Sequence, residues 1–237
     1  MTSARQNGRL IGILLLAQIL LSALINIGLT GPVFRPPGFL VNAAGSAVEM
    51  RVAVLLLILT GAITIGVAIA AMPMVRQYSG VMATWLIALG IAGFATLAIE
   101  ANTMLTMVSL SQQQAQAGAT NEMLQALGKT VAATRNGAHY VNLLVAGSFI
   151  LTFHAALFRF QLVPRAIAGA GMIGAALQLV AIARPLFGYP MLFAMLAPLA
   201  LAQLTLVAWL IVRGFTHEEP LVPVRSALPG GAASLTA

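Results

Sequence analysis

Six times along this sequence an apolar run of about 20 residues, the length that carries an α-helix across a ~30 Å hydrocarbon core, is set off from the next by arginine, proline or polar residues. The runs fall at 10–29, 47–72, 81–101, 140–158, 166–183 and 191–212. A helix satisfies every backbone N–H and C=O within such a run, which hydrocarbon cannot do. The chain therefore reads as an all-α integral membrane bundle of six transmembrane helices, one domain over 1–214, followed by a disordered cytoplasmic tail over 215–237. Composition agrees: 60% of the 237 residues are hydrophobic and 7% are charged, against roughly 25% charged in a soluble domain. No soluble fold hides that much apolar surface.

The charges say where the chain does not act. Twelve Lys+Arg against five acids give a net +7, but the basic residues stand singly between apolar runs instead of gathering on one face as in a nucleic-acid binder. No nucleic-acid partner is expected, and membrane lipid is. With no cysteine, disulfides, thiolate metal sites and cysteine nucleophiles are out of reach. The short-loop arginines set the orientation. Arg5, Arg9, Arg76, Arg159, Arg165, Arg213 and Arg225 fall on one side, against Arg35, Arg51, Lys129, Arg135 and Arg184 on the other. That asymmetry predicts a cell (inner) membrane protein with both termini cytoplasmic. The first run exceeds the usual ~7–15-residue signal-peptide core and lacks a clear small-x-small site, so it reads as an uncleaved helix.

Two loops carry information. GPVFRPPG, residues 31–38, has three prolines in eight residues, which predicts a stiff extended crossing and no helix. The polar stretch 111–137 contains Met123, Leu124, Leu127 and Val131 at helical spacing, with Thr120 or Asn121 placed to cap and Glu122 in the first turn. That pattern predicts a short interfacial amphipathic helix over 119–135, either a connector that shields loop backbone from lipid or a lid over a site.

Glu100 interrupts the third run. At 1.5 Å per residue it lies about 28 Å beyond Val81, near the outer edge of the core, and Glu49, Arg51, His139 and Arg184 reach the same level on other helices. Arg51 and Arg184 are the available partners for Glu100. Glu49, Arg51, Glu100, Asn102 and Arg184 thus form the candidate ligand-binding cluster, an ionic mouth for a headgroup or substrate; the competing reading is snorkelling anchors and structural ion pairs at helix ends. Glu49 and Arg51, like Glu100 and Asn102, are two residues apart, so one member of each pair points into the bundle. Deeper in the runs sit Gln18, Gln178, Gln203 and His154, for which interhelical hydrogen bonding is the simplest account. His139 and His154 are some 22 Å apart on one helix, so a haem held by both is excluded, and no metal-ligand set is legible; no cofactor is expected. Small residues four apart (Ala62, Gly66, Ala70; Ala88, Ala92, Thr96; Ala166, Ala170, Gly174) predict close helix packing within the molecule. No P-loop, dinucleotide fingerprint, zincin motif, nucleophile elbow or inverted repeat is visible.

The segment GSFILTFHAALFRFQLVPRAIAGAGMIGAALQLVAIARPLFGYP resembles the bacterial multi-pass family known as domain of unknown function 4386. The likeness lies in a histidine within an apolar helix, a short basic turn ending in Pro-Arg and a glycine-rich helix, here His154, Arg159, Pro164 and Arg165. Arg9 and Gly12 before the first run and EMRVAVLLLIL, with Glu49 and Arg51 opening the second, extend the resemblance over most of 5–214. It implies a six-helix bacterial membrane protein and no reaction. Family members often carry acids further into the second and fifth helices; this chain has none there, so no shared proton or cation chemistry is carried over. Three roles stay open. The first is binding or moving a small amphipathic molecule or lipid through the outer polar cluster. The second is an accessory subunit packed against other membrane proteins, and the third an intramembrane enzyme using Glu100 or His154.

Overall fold

The computed structural model describes residues 3–117 and 121–216. Its helices are α1 (Ser3–Ala23), continued by a π-helical segment Leu24–Leu29, the short α2 (Gly31–Phe34) and α3 (Phe39–Gly45), then α4 (Ala47–Arg76), α5 (Gly80–Ala117), α6 (Glu122–Arg159), α7 (Arg165–Leu186) and, after a 3₁₀ turn Phe193–Leu196, α8 (Ala197–Val212). Six helical segments are long and apolar enough to cross a membrane. The protein is a multi-pass, all-α membrane protein. Residues 217–237 of the predicted tail, His217 among them, lie outside the described residues.

The six long helices close a ring in chain order, because α1 packs on α4, α4 on α5, α5 on α6, α6 on α7, α7 on α8, and α8 returns to α1. With six crossings the two chain ends share one end of the ring, here called the terminal end; the opposite one is the distal end. Packing inside is split. One core, built from residues such as Ile11, Met74, Leu86, Phe153, Leu157 and Leu210, fills the terminal end. A second, with Val33, Phe39, Met50, Met104 and Met107, fills one side of the distal end. The space between is not filled by side chains.

Two loop expectations are corrected. Residues 31–34 form a helical turn, not an extended crossing, because Pro32 stands in the first turn, where its missing N–H leaves no hydrogen bond unmade. Asn42 then holds the proline loop by donating from Nδ2 to the carbonyls of Val33 and Arg35 at 3.3 and 2.8 Å. The region predicted as a separate interfacial helix is helical from Glu122, capped by Asn121, whose side chain accepts from the Leu124 N–H at 3.2 Å. It runs unbroken into the fourth span, so connector and transmembrane segment are one 38-residue rod. No proline interrupts the chain between the amphipathic stretch and Tyr140, and α5, also 38 residues, packs antiparallel beside it. Ser111 ties α3 onto this hairpin by donating to the Leu40 carbonyl (3.0 Å) while accepting from the Ala44 N–H (2.8 Å).

Of the three predicted small-residue rows, Gly174 makes the closest approach: a Cβ there would lie 2.7 Å from the Leu199 backbone of α8. Ala62, Ala88, Ala92, Ala166 and Ala170 face outward instead. The tightest contact of α1 comes from Gly8 and Gly12, four residues apart, whose added Cβ atoms would stand 2.6 Å from the Phe215 backbone and 3.0 Å from Leu210 and Ile211. At Gly8 backbone meets backbone, so glycine is required there, while at Gly12 the helix also rests on the Leu210 and Ile211 side chains.

Candidate functional site

Each of the six long helices places side chains toward the unfilled space at the ring's centre. The result is a cavity of about 800 Å³, within the range of sites that enclose a small organic ligand. Its wall is chiefly apolar, with Leu15, Leu97, Phe149 and Ile182 among its lining residues, and it extends from Phe153 to Glu100. Polar groups interrupt that wall at two levels.

The distal level is charged. Glu100 is 2% exposed on α5, and its Oε1 accepts from Arg135 Nη2 at 3.1 Å and lies 2.8 Å from His139 Nδ1. Arg135 and His139 are four residues apart and so share one face of α6, the face turned to α5. The Arg135 guanidinium also lies 4.7 Å from the centre of the Phe34 ring on α2, a favourable cation–π contact. All three ionisable groups line the cavity. Glu100 Oε2 and Arg135 Nε are buried without a partner, so the cluster holds hydrogen-bonding capacity that the protein does not use. Burial without a partner is costly for charged groups.

Along the helix axes this level stands about 30 Å from the terminal end, counting 20 residues from His139 to Arg159 at 1.5 Å each. Glu100 therefore stands near the distal end of the bundle and is shielded there. Its expected partners are corrected: Arg51 is exposed, and Arg184 donates from Nε to the Pro190 carbonyl at 3.0 Å. Glu49 and Asn102 are exposed as well. The structure thus does not gather Glu49, Arg51, Asn102 and Arg184 around Glu100. Of each pair two residues apart, only Glu100 of the second turns inward, and neither Glu49 nor Arg51 does.

The inner level is neutral. Gln18 donates from Nε2 to Thr64 Oγ1 at 2.6 Å and to the Thr60 carbonyl at 3.3 Å, bonding α1 to α4. Gln178 and Gln203 line the cavity. Thr96 donates to Asn142 Oδ1 at 3.1 Å nearby. His154 lies behind the cavity wall: it is fully buried at the terminal end of α6, next to Gln203, and packs directly on Gly171 of α7. The partners of Glu100 that the sequence reading leaves out of the cluster are Arg135 and His139. The signal for Arg135 was there in the i, i+4 spacing with His139, but the expectation of a separate surface helix hid it.

The family model described as Domain of unknown function (DUF4386) matches residues 10–214, nearly all of the described chain. The chain belongs to that family. The DUF4386 match spans all six transmembrane helices and every cavity residue named above. No match is found among curated proteins or solved structures.

Proposed function

We propose that this DUF4386 protein binds a small amphipathic molecule of lipid type in its central cavity, head against the Glu100–Arg135–His139 cluster and chain along the apolar wall. The observation that carries this reading is the incomplete charged cluster at one end of an otherwise apolar cavity. Evolution of a purely structural ion pair has no need of a cavity beside it, whereas ligand sites combine apolar walls with a few convergent polar groups. The pairing also restricts the head. A purely anionic group would meet Arg135 but also the Glu100 carboxylate, so a neutral or zwitterionic head that both donates and accepts fits best.

Native mass spectrometry on protein taken gently from its own membrane tests this. A stoichiometric extra mass is expected, absent from the charge-free variant Glu100→Leu/Arg135→Met. A bare chain, a co-purifying protein in place of a small molecule, or a mass that persists in the variant would overturn it. We further place the protein in a bacterial cytoplasmic membrane with the terminal end inside, from the arginine asymmetry. A reporter active only in the periplasm, inserted after Asn121, should then be active, and activity only when it is fused at the carboxyl end would reverse the orientation.

A further inference from the structure

The ring of helices is not closed along its whole height. At the terminal end α1 and α8 lie side by side: besides the Gly8 and Gly12 contacts, Arg9 Nη2 donates to the Val212 carbonyl at 3.3 Å. The two helices run antiparallel, so each residue gained along α1 is matched by one lost along α8. Ten residues beyond Gly12, which meets Leu210, Ser22 comes level with Ala200, about 15 Å further toward the distal end. There the partners separate. The π-helical continuation of α1 packs on α2 and α4, and the Phe193–Leu196 turn before α8 packs on α7 and α8. Ser22 and Asn26 on one side, and Phe193, Ala200 and Leu204 on the other, line the cavity and are nevertheless exposed, Phe193 by 73% and Leu204 by 50%. Residues that face both the cavity and the outside mark the rim of an opening.

We infer that this opening is a lateral portal through which a lipid of the distal leaflet enters the cavity directly from the bilayer; the inference rests on the amphiphile-binding reading above. Depth supports it. Counted from Arg213, Ala200 stands about 20 Å along α8, inside the distal half of a ~30 Å core, whereas the charged cluster stands about 30 Å up, at the headgroup level of that same leaflet. A lipid in the distal leaflet already has its head at the height of Glu100 and its chain at the height of the portal. It can move sideways into the cavity without inverting, and its head need not cross hydrocarbon. Phe193 and Leu204 give the rim, beside Ser22 and Asn26, an apolar surface that suits a passing acyl chain. The π-helical segment on α1 widens the helix at the rim, and such segments commonly occur at functional positions.

The chain reconstituted in vesicles of phosphatidylethanolamine and phosphatidylglycerol, with a trace of phosphatidylethanolamine bearing a diazirine at the acyl-chain end, provides the test. After illumination and peptide mass spectrometry, adducts are expected on cavity residues such as Leu97 and Phe149 as well as on lipid-facing Leu55 and Ile173. Ala200→Trp, and independently Ser22→Trp, should cut the cavity adducts by about tenfold and leave those on Leu55 and Ile173 unchanged. Both positions are exposed at the rim, so the larger ring narrows the opening without burdening the core. Cavity adducts undiminished in both variants would overturn the portal and leave the binding site standing. Adducts confined to Leu55, Ile173 and other outward residues in the unsubstituted chain would remove the site and the portal together.

Discussion

Arg135→Ala is expected to lower the stability of the purified protein by roughly 3–5 kcal/mol, a fall of about 6–20 °C in the unfolding midpoint for a chain of this size. The substitution strips Glu100 of its guanidinium partner and leaves a carboxylate that is 2% exposed with His139 at 2.8 Å as its remaining neighbour. A buried charge without its partner is far costlier than the intact pair is favourable. Because His139 can take up part of the compensation, the lower half of the range is the better figure. The loss has a diagnostic counterpart. Replacing both charges, in Glu100→Leu/Arg135→Met, should recover most of the stability, since an ion pair and an apolar pair of similar volume are often near equal in energy. Thermal unfolding in one detergent for all three variants checks this. If Arg135→Ala unfolds within about 0.5 kcal/mol of the parent, the size of an ordinary surface change, the pair is not formed in the folded protein.

Gly171→Ala carries the second large effect. A Cβ at that position would fall onto Cε1 and Nδ1 of His154, far inside van der Waals contact. The imidazole is fully buried between α6 and α7. Inserting a methyl into such a contact typically costs about 1–3 kcal/mol, occasionally more, and here the upper end applies because the obstacle is a rigid ring. His154→Ala removes that ring, so in the double variant the new methyl occupies part of the space it vacates. The two changes should therefore be strongly non-additive, with a coupling of about 1–3 kcal/mol in favour of the double variant. Additive losses would show that His154 and Gly171 do not pack as described. In this chain Gly171 is the seat of the His154 ring.

Glu100 and the glutamines show how far sequence reading reached into the site. Glu100 stood out because a single carboxylate in a long uncharged run is expensive, and its depth followed from the helical rise alone. Gln18 was expected to bond across helices and does so with Thr60 and Thr64. The partner of Glu100 was misread, however, because depth along an axis says nothing of rotation about it. Arg51 and Arg184 share the level of Glu100 but turn elsewhere, whereas Arg135 reaches it from beyond the expected start of the fourth span. The proline loop was misread for a different reason. Proline excludes a helix interior but not a first turn, and only the chain's path decides which of these a given proline occupies.

What the sequence by itself determined is the environment: six apolar runs of membrane length force six helices, because hydrocarbon offers no other partner to their backbone groups. Those are local properties, additive along a segment and independent of neighbours. The tertiary structure alone decided the ring order, the split core with a cavity between its halves, the Glu100–Arg135–His139 cluster and the gap between α1 and α8. Each depends on the rotation and tilt of one helix against another, and those are set by side-chain packing between residues far apart in the chain, such as Gly12 against Leu210 and Gly174 against Leu199.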